Sequence, residues 1–267
     1  MGLFWGNMPE GIEVEYYRTT ALRALRRKIN VVTADDHYFL KGGTESEELQ
    51  SFLVQDEFVT ARRVGKLLLL DTKHGMTLGI RFGMTGRLLV DDFSSIDYLE
   101  YSSVRNESSW DRFSIGFEDG GTLSVRDPRR LGGVELNPET DSLGHDIYRI
   151  NGKGLGAVLK GSSRPIKARL MDQHQIAGLG NLLTDEILWR ASIDPRRPSD
   201  SLSIDEKRRL LYHIENTVQQ LTELGGSHMG KLQNSRRASG FCPKDGSLLE
   251  RHKVGGRTTY SCPTHQR

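Results

Sequence analysis

Apolar and polar residues alternate in two different rhythms along this chain. Across residues 31–136 the apolar positions come in short runs, among them residues 66–71 (KLLLLD), 76–81 (MTLGIR), 87–90 (RLLV) and 122–126 (TLSVR), parted by glycine-bearing and acidic turns. That pattern predicts an all-β segment. A helix over about residues 13–27 stands in front of it. From about Ile166 the period lengthens, predicting helices over 166–173, 181–191 and 203–224, the last with Leu210, Leu211, Ile214, Val218 and Leu221 at helical spacing and Gly225-Gly226 as its stop. Residues 241–267 form a short cysteine-containing module with hairpin character around Gly255-Gly256.

With 267 residues and 36% hydrophobic content, the chain can bury more than one core. No apolar run reaches bilayer length, and residues 1–7 lack the cationic start and apolar stretch of a secretory signal. Gly6 stands where a myristoylation pattern requires Ser or Thr. These features predict a soluble intracellular protein. The two cysteines, Cys242 and Cys262, are too few for a disulfide framework and better suited to a metal site. The net charge of +2 hides a strong division. Residues 91–150 carry 6 basic and 13 acidic side chains, residues 151–170 carry 5 basic and none acidic, and residues 227–267 carry 8 basic against 2 acidic. Either cationic segment alone suits an ordinary solvated surface, but the pair flanks the helical region and suggests a track for phosphates.

Four clusters carry candidate chemistry. In Met8-Pro9-Glu10 a proline follows a methionine, and a carboxylate follows at once. If translation begins at Met8 and that residue is removed, Pro9 becomes a secondary amine with a pKa near ~8, partly unprotonated and nucleophilic at neutral pH. Attack on a nucleotide C1′ gives an iminium that releases the base and acidifies the C2′ proton, with Glu10 moving protons. Taken alone, the same two residues also suit a helix start. The second cluster is Arg62-Arg-Val-Gly-Lys66 with Arg81-Phe-Gly-Met84-Thr-Gly-Arg87, where Lys66 can meet a phosphate or assist elimination and Met84 can serve as a wedge between bases or as core. The third is Asp127-Pro-Arg129-Arg130-Leu131-Gly132, a turn with two arginines and an exposed apolar residue suited to an extruded nucleotide's vacancy, or simply a charged turn. In the fourth, Lys167 precedes Gly178-Leu-Gly180-Asn181, which predicts free amides for a phosphate and an Asn181 cap on the next helix, or a tight interhelical turn.

Met8-Pro-Glu, Lys66, the DPRRLG turn, Lys167, the GLGN turn and the paired cysteines, in this order, resemble the formamidopyrimidine-DNA glycosylase and endonuclease VIII family over nearly all of residues 8–267. The resemblance implies an α+β multidomain fold: an N-terminal β-sandwich with a leading helix (8–137), a helix-two-turn-helix domain (138–232) and a C-terminal zinc-type β-hairpin (238–267). It implies a bifunctional DNA glycosylase/AP lyase of base excision repair without a catalytic cofactor. Pro9 is then the nucleophile, Glu10 the catalytic acid and Lys66 the lysine at the mouth of the β domain. Met84, Arg129 and Leu131 fill the vacated stack, and Arg130, Lys167, Asn181 and Arg257 contact DNA phosphates or the groove. The implied partner is damaged double-stranded DNA, bound by a monomer in a bacterial-type cytoplasm at the nucleoid and not at a membrane.

The chain departs from the family pattern at several places. Where two CxxC pairs are usual, it has Cys242-Pro-Lys-Asp245 and Cys262-Pro-Thr-His265. Two thiols, a carboxylate and an imidazole are an allowed structural zinc set, against the alternative of a metal-free hairpin packed around Phe241 and Tyr260. Ile12 replaces a common proline, Arg81 stands where histidine is frequent, and residues 226–241 are shorter than the segment that closes over a flipped purine. Seven residues precede Met8, and a proline inside a peptide bond has no nucleophilic lone pair. Initiation at Met8 is therefore the expectation. The competing readings are a catalytically silent family member that binds damaged DNA and an unrelated zinc-hairpin regulator.

Overall fold

The computed structural model describes residues 9–96 and 107–267; Met8 lies outside the described residues. The chain divides into two compact units, one containing Pro9 and Glu13–Thr140, the other Glu10–Ile12 and Asp141–Arg267.

In the first unit, α1 (Gly11–Ala21) contributes Val14, Tyr17 and Ala21, spaced on one helical face, to the core. The helix stops earlier than its periodicity predicts. A 3-10 turn follows at Leu22–Ala24, and Arg26 adopts φ 59° as its N–H bonds to the Phe58 carbonyl, which carries the chain into the sheet. Four antiparallel strands, β1 (Ile29–Thr33), β6 (Asp111–Phe117), β7 (Thr122–Arg126) and β5 (Arg87–Val90), form one sheet in that order. The other sheet has the order β2 (Phe58–Val64), β3 (Leu67–Thr72), β4 (Thr77–Arg81) and β8 (Gly133–Leu136), also antiparallel. One core joins the inner faces of both, with Leu68 and Leu70 from β3, Ile80 from β4 and Phe113, Ile115, Leu123 and Val125 from β6 and β7. The segment is not purely β: α2 (Ser46–Leu53), closed by a capping box between Glu45 and Glu48, buries Leu49 and Leu53 in that core.

In the second unit, α3 (Gly152–Leu159), α4 (Ile166–Leu170), α5 (Asn181–Ala191) and α6 (Ile204–Leu224) pack together, with a two-stranded parallel ladder of β9 (His145–Asp146) and β10 (Ile176–Ala177). The glycine-rich α3 gives no helical signal in the sequence. It forms because Asn151 caps it and Leu155, Val158 and Leu159 are buried. Helix α4 is three residues shorter than expected, since Met171 leads into a turn in which Asp172 accepts from Gln175 and Ile176. The hairpin of β11 (Glu250–Val254) and β12 (Arg257–Ser261) lies where the glycine pair predicts it. Helix α5 is buried on almost every side, from Leu182 to Trp189 and again at Ala191, so it is the centre on which the other helices and the hairpin assemble.

Helix α6 begins with a full capping box: Ser203 accepts from Glu206 N, and Glu206 accepts from Ser203 N at 2.8 Å. Arg197 also grips Glu206, and this bond more than any other draws the Glu206 carboxyl down to about 2 against a burial effect of opposite sign. The unfolded chain therefore binds the proton first, so the contribution is complete above about pH 4.5 and is lost as the pH falls through about 2. For a pair this open to solvent the contribution is about 1 kcal/mol. In urea titrations, Glu206→Gln should be less stable by that amount at pH 7 and should match the wild type near pH 2.

Candidate active site and nucleic-acid interface

Glu10 is 1% exposed, and its carboxylate lies at the N-terminus of α5. It accepts from Gly180 N at 3.0 Å, Leu182 N at 2.8 Å and Leu183 N at 3.1 Å. These are N–H groups that a helix cannot satisfy internally, and the positive end of the helix dipole adds to them. The site exists because residue 180 is glycine. A Cβ there would lie 2.3 Å from Glu10 Cδ and 2.4 Å from Oε1. Gly11 N donates to Gly178 O at 2.9 Å, so backbone and side chain of the Glu10–Ile12 segment are both bound by this turn. The expectation of a free phosphate cradle at Gly178 and Gly180 is thereby corrected, because Gly180 N is taken by the Glu10 carboxylate and Gly178 N donates to Gln173 Oε1 at 2.9 Å. Asn181 is not the cap: Gly180 holds that position, and Asn181 Oδ1 is buried with no hydrogen-bond partner among the described residues.

Helix α5 also carries two buried carboxylates. Asp185 pairs with Lys167 Nζ at 2.7 Å and with Arg236 Nη1. Lys167 is fully buried and donates further to Thr258 O at 3.2 Å and Thr259 Oγ1 at 2.8 Å. Burial pushes the Lys167 ammonium below the usual lysine range, and Asp185 opposes that effect. Its charge therefore faces the hairpin and not solvent, a different position from the phosphate contact that the resemblance implies. Glu186 accepts from Lys231 N at 3.1 Å and Leu232 N at 2.8 Å, which pins the short segment after α6 onto α5. Arg257, at the tip of the hairpin beside Gly255-Gly256, is exposed and has no ion-pair partner among the described residues.

In the first unit, Lys66 follows Gly65 in the β2–β3 turn and is half-buried. Arg63 steadies this turn, donating to Gly65 O at 2.7 Å and to Glu15 Oε2 of α1 at 3.1 Å. Met84 lies in the Phe82–Gly86 turn, which Tyr17 holds by ring contact with Phe82 and a 3.1 Å bond to Gly86 O. Arg129 and Leu131 are exposed on the loop after β7. Between them Arg130 binds Asp36 through Nε at 2.6 Å and Nη2 at 2.5 Å and lies over the Tyr38 ring. This guanidinium is already engaged by a carboxylate.

Cys242, Asp245, Cys262 and His265 bring one ligand atom each to within 4.8 Å of one another. His265 Nε2 faces Trp189 O at 3.2 Å, leaving Nδ1 toward the thiols and Asp245. Trp189 Nε1 donates to Cys242 Sγ at 3.3 Å, and Lys244 N does so at 3.4 Å. Ordered donors around the sulfur and a carbonyl fixing the imidazole orientation are what a metal site requires outside its ligands. The cluster can hold a metal ion.

Comparison with known proteins agrees with this architecture. Residues 8–134 match the formamidopyrimidine-DNA glycosylase N-terminal domain, and residues 144–232 match the formamidopyrimidine-DNA glycosylase H2TH domain. Formamidopyrimidine-DNA glycosylase of Streptococcus pneumoniae serotype 4 is 31% identical, covering 97% of this chain and 99% of that protein, and the Laribacter hongkongensis enzyme of the same name is 30% identical over 97% of this chain and 100% of its own length. The chain belongs to the formamidopyrimidine-DNA glycosylase family. Among solved structures, Lactococcus lactis Fpg bound to DNA containing N7-benzyl-Fapy-dG has a TM-score of 0.82 at 26% identity, covering 97% of this chain and all of that one. The same protein bound to abasic-site DNA gives 0.81 at 26% identity, over 97% and 99%. The multidomain α+β fold expected of this family, with sandwich, helical domain and cysteine-bearing hairpin, is what the chain adopts.

Four residues of this family member have structural roles that the sequence alone did not suggest: Asp127, Asp185, Glu186 and Arg236. Asp185, Glu186 and Arg236 engage groups 45 or more residues away and Asp127 engages Thr85, 42 residues away, partners of which a charged residue in a helix or turn gives no local sign. Gly180→Ala should displace the Glu10 carboxylate and cost about 1–3 kcal/mol in urea unfolding, the value of a charged group losing its donors. Combined with Glu10→Gln, the two losses should add to clearly less than their sum. Strict additivity would show that the Cβ acts on something other than Glu10.

Proposed function

We propose that this chain is a bifunctional DNA glycosylase/AP lyase of base excision repair that uses the amine of Pro9. The observation that carries the reading is the Glu10 carboxylate fixed by three α5 amides, one peptide bond from that proline. The unprotonated nitrogen attacks C1′, the glycosidic bond breaks, and the base leaves with a proton from water, after which the C1′–O4′ bond breaks to give an open-chain iminium. The resulting iminium acidifies C2′, and loss of that proton expels the 3′ phosphate and nicks the strand. Glu10 accepts the proton released by the amine and gives it to O4′ as the sugar ring opens. Lys66 meets the phosphate or assists elimination.

Arg129, Leu131 and Met84 are the groups we assign to the vacated stack, and Arg257 reaches the DNA groove from the hairpin. Asn181 contacts a phosphate. For Arg130 and Lys167 we assign bracing roles instead, through Asp36 and Asp185, because their donors are already engaged. The sandwich (8–137), the helical domain (138–232) and the hairpin (238–267) then act as catalytic, binding and reading parts. The substrate is damaged duplex DNA. Among the described residues no helix is long and apolar enough to cross a membrane, and we place the protein in the cytoplasm as a monomer acting on nucleoid DNA.

Zinc is the metal we assign to Cys242, Asp245, Cys262 and His265. When bound it supplies a structural crosslink between the two ends of the hairpin module and no chemistry at the sugar. The chain's own residues hold the site in shape: Trp189 and Lys244 orient one sulfur, and Ser247 holds Asp245, whose carboxyl stays well below the usual range mainly through that hydroxyl and then its amide.

A protein beginning at Pro9 should be trapped covalently by borohydride on abasic-site DNA, and a protein that keeps a residue ahead of Pro9, which turns its nitrogen into an amide, should not be trapped while its salt-dependent binding stays intact. Wild-type protein with a free Pro9 that binds such DNA without trapping would identify a silent binder. Elemental analysis should find one zinc per chain, and Cys262→Ser should lose it with a lower unfolding temperature. A wild-type protein that is metal-free after purification in zinc-containing buffer would refute the zinc assignment.

A further inference from the structure

Asp127 is fully buried, yet no part of the reaction above uses it. Its Oδ1 accepts from the Thr85 hydroxyl at 2.5 Å and from Arg129 N at 3.1 Å, and its Oδ2 accepts from Leu131 N and Gly132 N, both at 2.8 Å. A carboxylate taken out of water needs such donors, and these come from two separate loops. Thr85, itself fully buried, belongs to the Phe82–Gly86 turn that carries Met84. The three amides belong to the loop that carries Arg129 and Leu131.

The two loops also meet backbone to backbone. Gly83, at φ 56°, would place a Cβ 2.4 Å from the Leu131 carbonyl carbon, and a Cβ on Gly132 would lie 2.5 Å from Arg81 O. Side chains are excluded from this seam, so the loops cannot slide without breaking the Asp127 bonds. On either side of it stand Met84, half-buried, and Leu131, 48% exposed.

We infer that Asp127, with Thr85, is a positioning pair that locks the Met84 turn and the Arg129–Leu131 loop into a single preformed wedge for the base stack. The inference rests on the reading that those three side chains enter the stack. Its physical content is preorganisation: a wedge already ordered by a buried anion loses no loop entropy when it inserts. Only a carboxylate serves all four donors at once, since an asparagine would turn an NH2 group toward N–H or O–H donors on one side.

Two variants separate this role from general structural support. Thr85→Val keeps shape and burial and cuts the tie to the Met84 turn alone, and Asp127→Asn disrupts both ties. With a single lesion paired in duplex DNA, excision should fall about tenfold in Thr85→Val and about a hundredfold in Asp127→Asn, the loss of one and of two or more charge-assisted bonds. Cleavage at a preformed abasic site, where no base has to be displaced, should change less than about threefold. Fluorescence of 2-aminopurine placed beside the lesion should report unstacking by the wild type and weaker unstacking by both variants at saturating protein. Equal losses on the two substrates, or unchanged unstacking in folded Thr85→Val, overturn the inference. If Asp127→Asn does not fold, Thr85→Val decides alone. Because unstacking needs no chemistry, a wild type that unstacks but never excises would sink the enzymatic reading and leave the wedge standing.

Discussion

The buried negative charge of Glu10 at the head of α5 is the constraint on which the rest of the second unit depends. A carboxylate without water needs several donors, and the first turn of a helix offers N–H groups with no internal partner. For the helix to reach that carboxylate its N-cap must have no side chain, which Gly180 satisfies. For the amides to stay in place the helix must not move, and α5 is surrounded by α4, α6 and the hairpin. The position of one catalytic candidate is therefore set by the packing of an entire domain.

The same helix uses its other polar positions as fasteners. Asp185 ties it to α4 through Lys167 and to the segment after α6 through Arg236, and Glu186 holds residues 231 and 232 by their amides. Lys167 passes the connection onward to Thr258 and Thr259, the two residues that follow Arg257. Removing one member of such a buried pair typically costs about 3–5 kcal/mol, far more than a surface pair contributes. The exposed arginine at the hairpin tip is thus supported by a chain of buried polar contacts that runs back to α5.

Much of this architecture was legible in the sequence where local chemistry and tertiary packing agree. Residues 181–191 are helical as predicted, and α6 differs by one residue because Ser203 is its cap. Where the two disagree the reading failed: α2 and α3 form through burial and capping despite weak local patterns, and α1 ends early because Arg26 turns into the sheet. The site divides in the same way. Pro9 and Glu10 could be named from residue type, and the four ligand candidates from the resemblance to the family's zinc-site spacing. The occupant of the Gly178–Gly180 turn could not, because the acceptor lies 170 residues away from Gly180. Likewise a sequence shows that Lys167 and Arg130 are cations but not that Asp185 and Asp36 already hold them.

The hairpin shows how a departure from a family pattern can be absorbed. Replacing two of four thiolates by a carboxylate and an imidazole lowers the negative charge that the ligands place around a divalent ion and substitutes a harder oxygen for sulfur. The surroundings compensate by order. Trp189 is close to three of the relevant groups at once: its indole donates to Cys242, its carbonyl faces His265, and its ring lies under Lys244. Lys244 in turn donates to the Trp189 and Arg190 carbonyls at the C-terminal end of α5, where a cation is electrostatically favoured. The helix whose N-terminus fixes Glu10 thus fixes the ligand cluster from its other end. One element, buried along its length, joins the Glu10 carboxylate to the hairpin module, and the ligand cluster takes part of its geometry from α5.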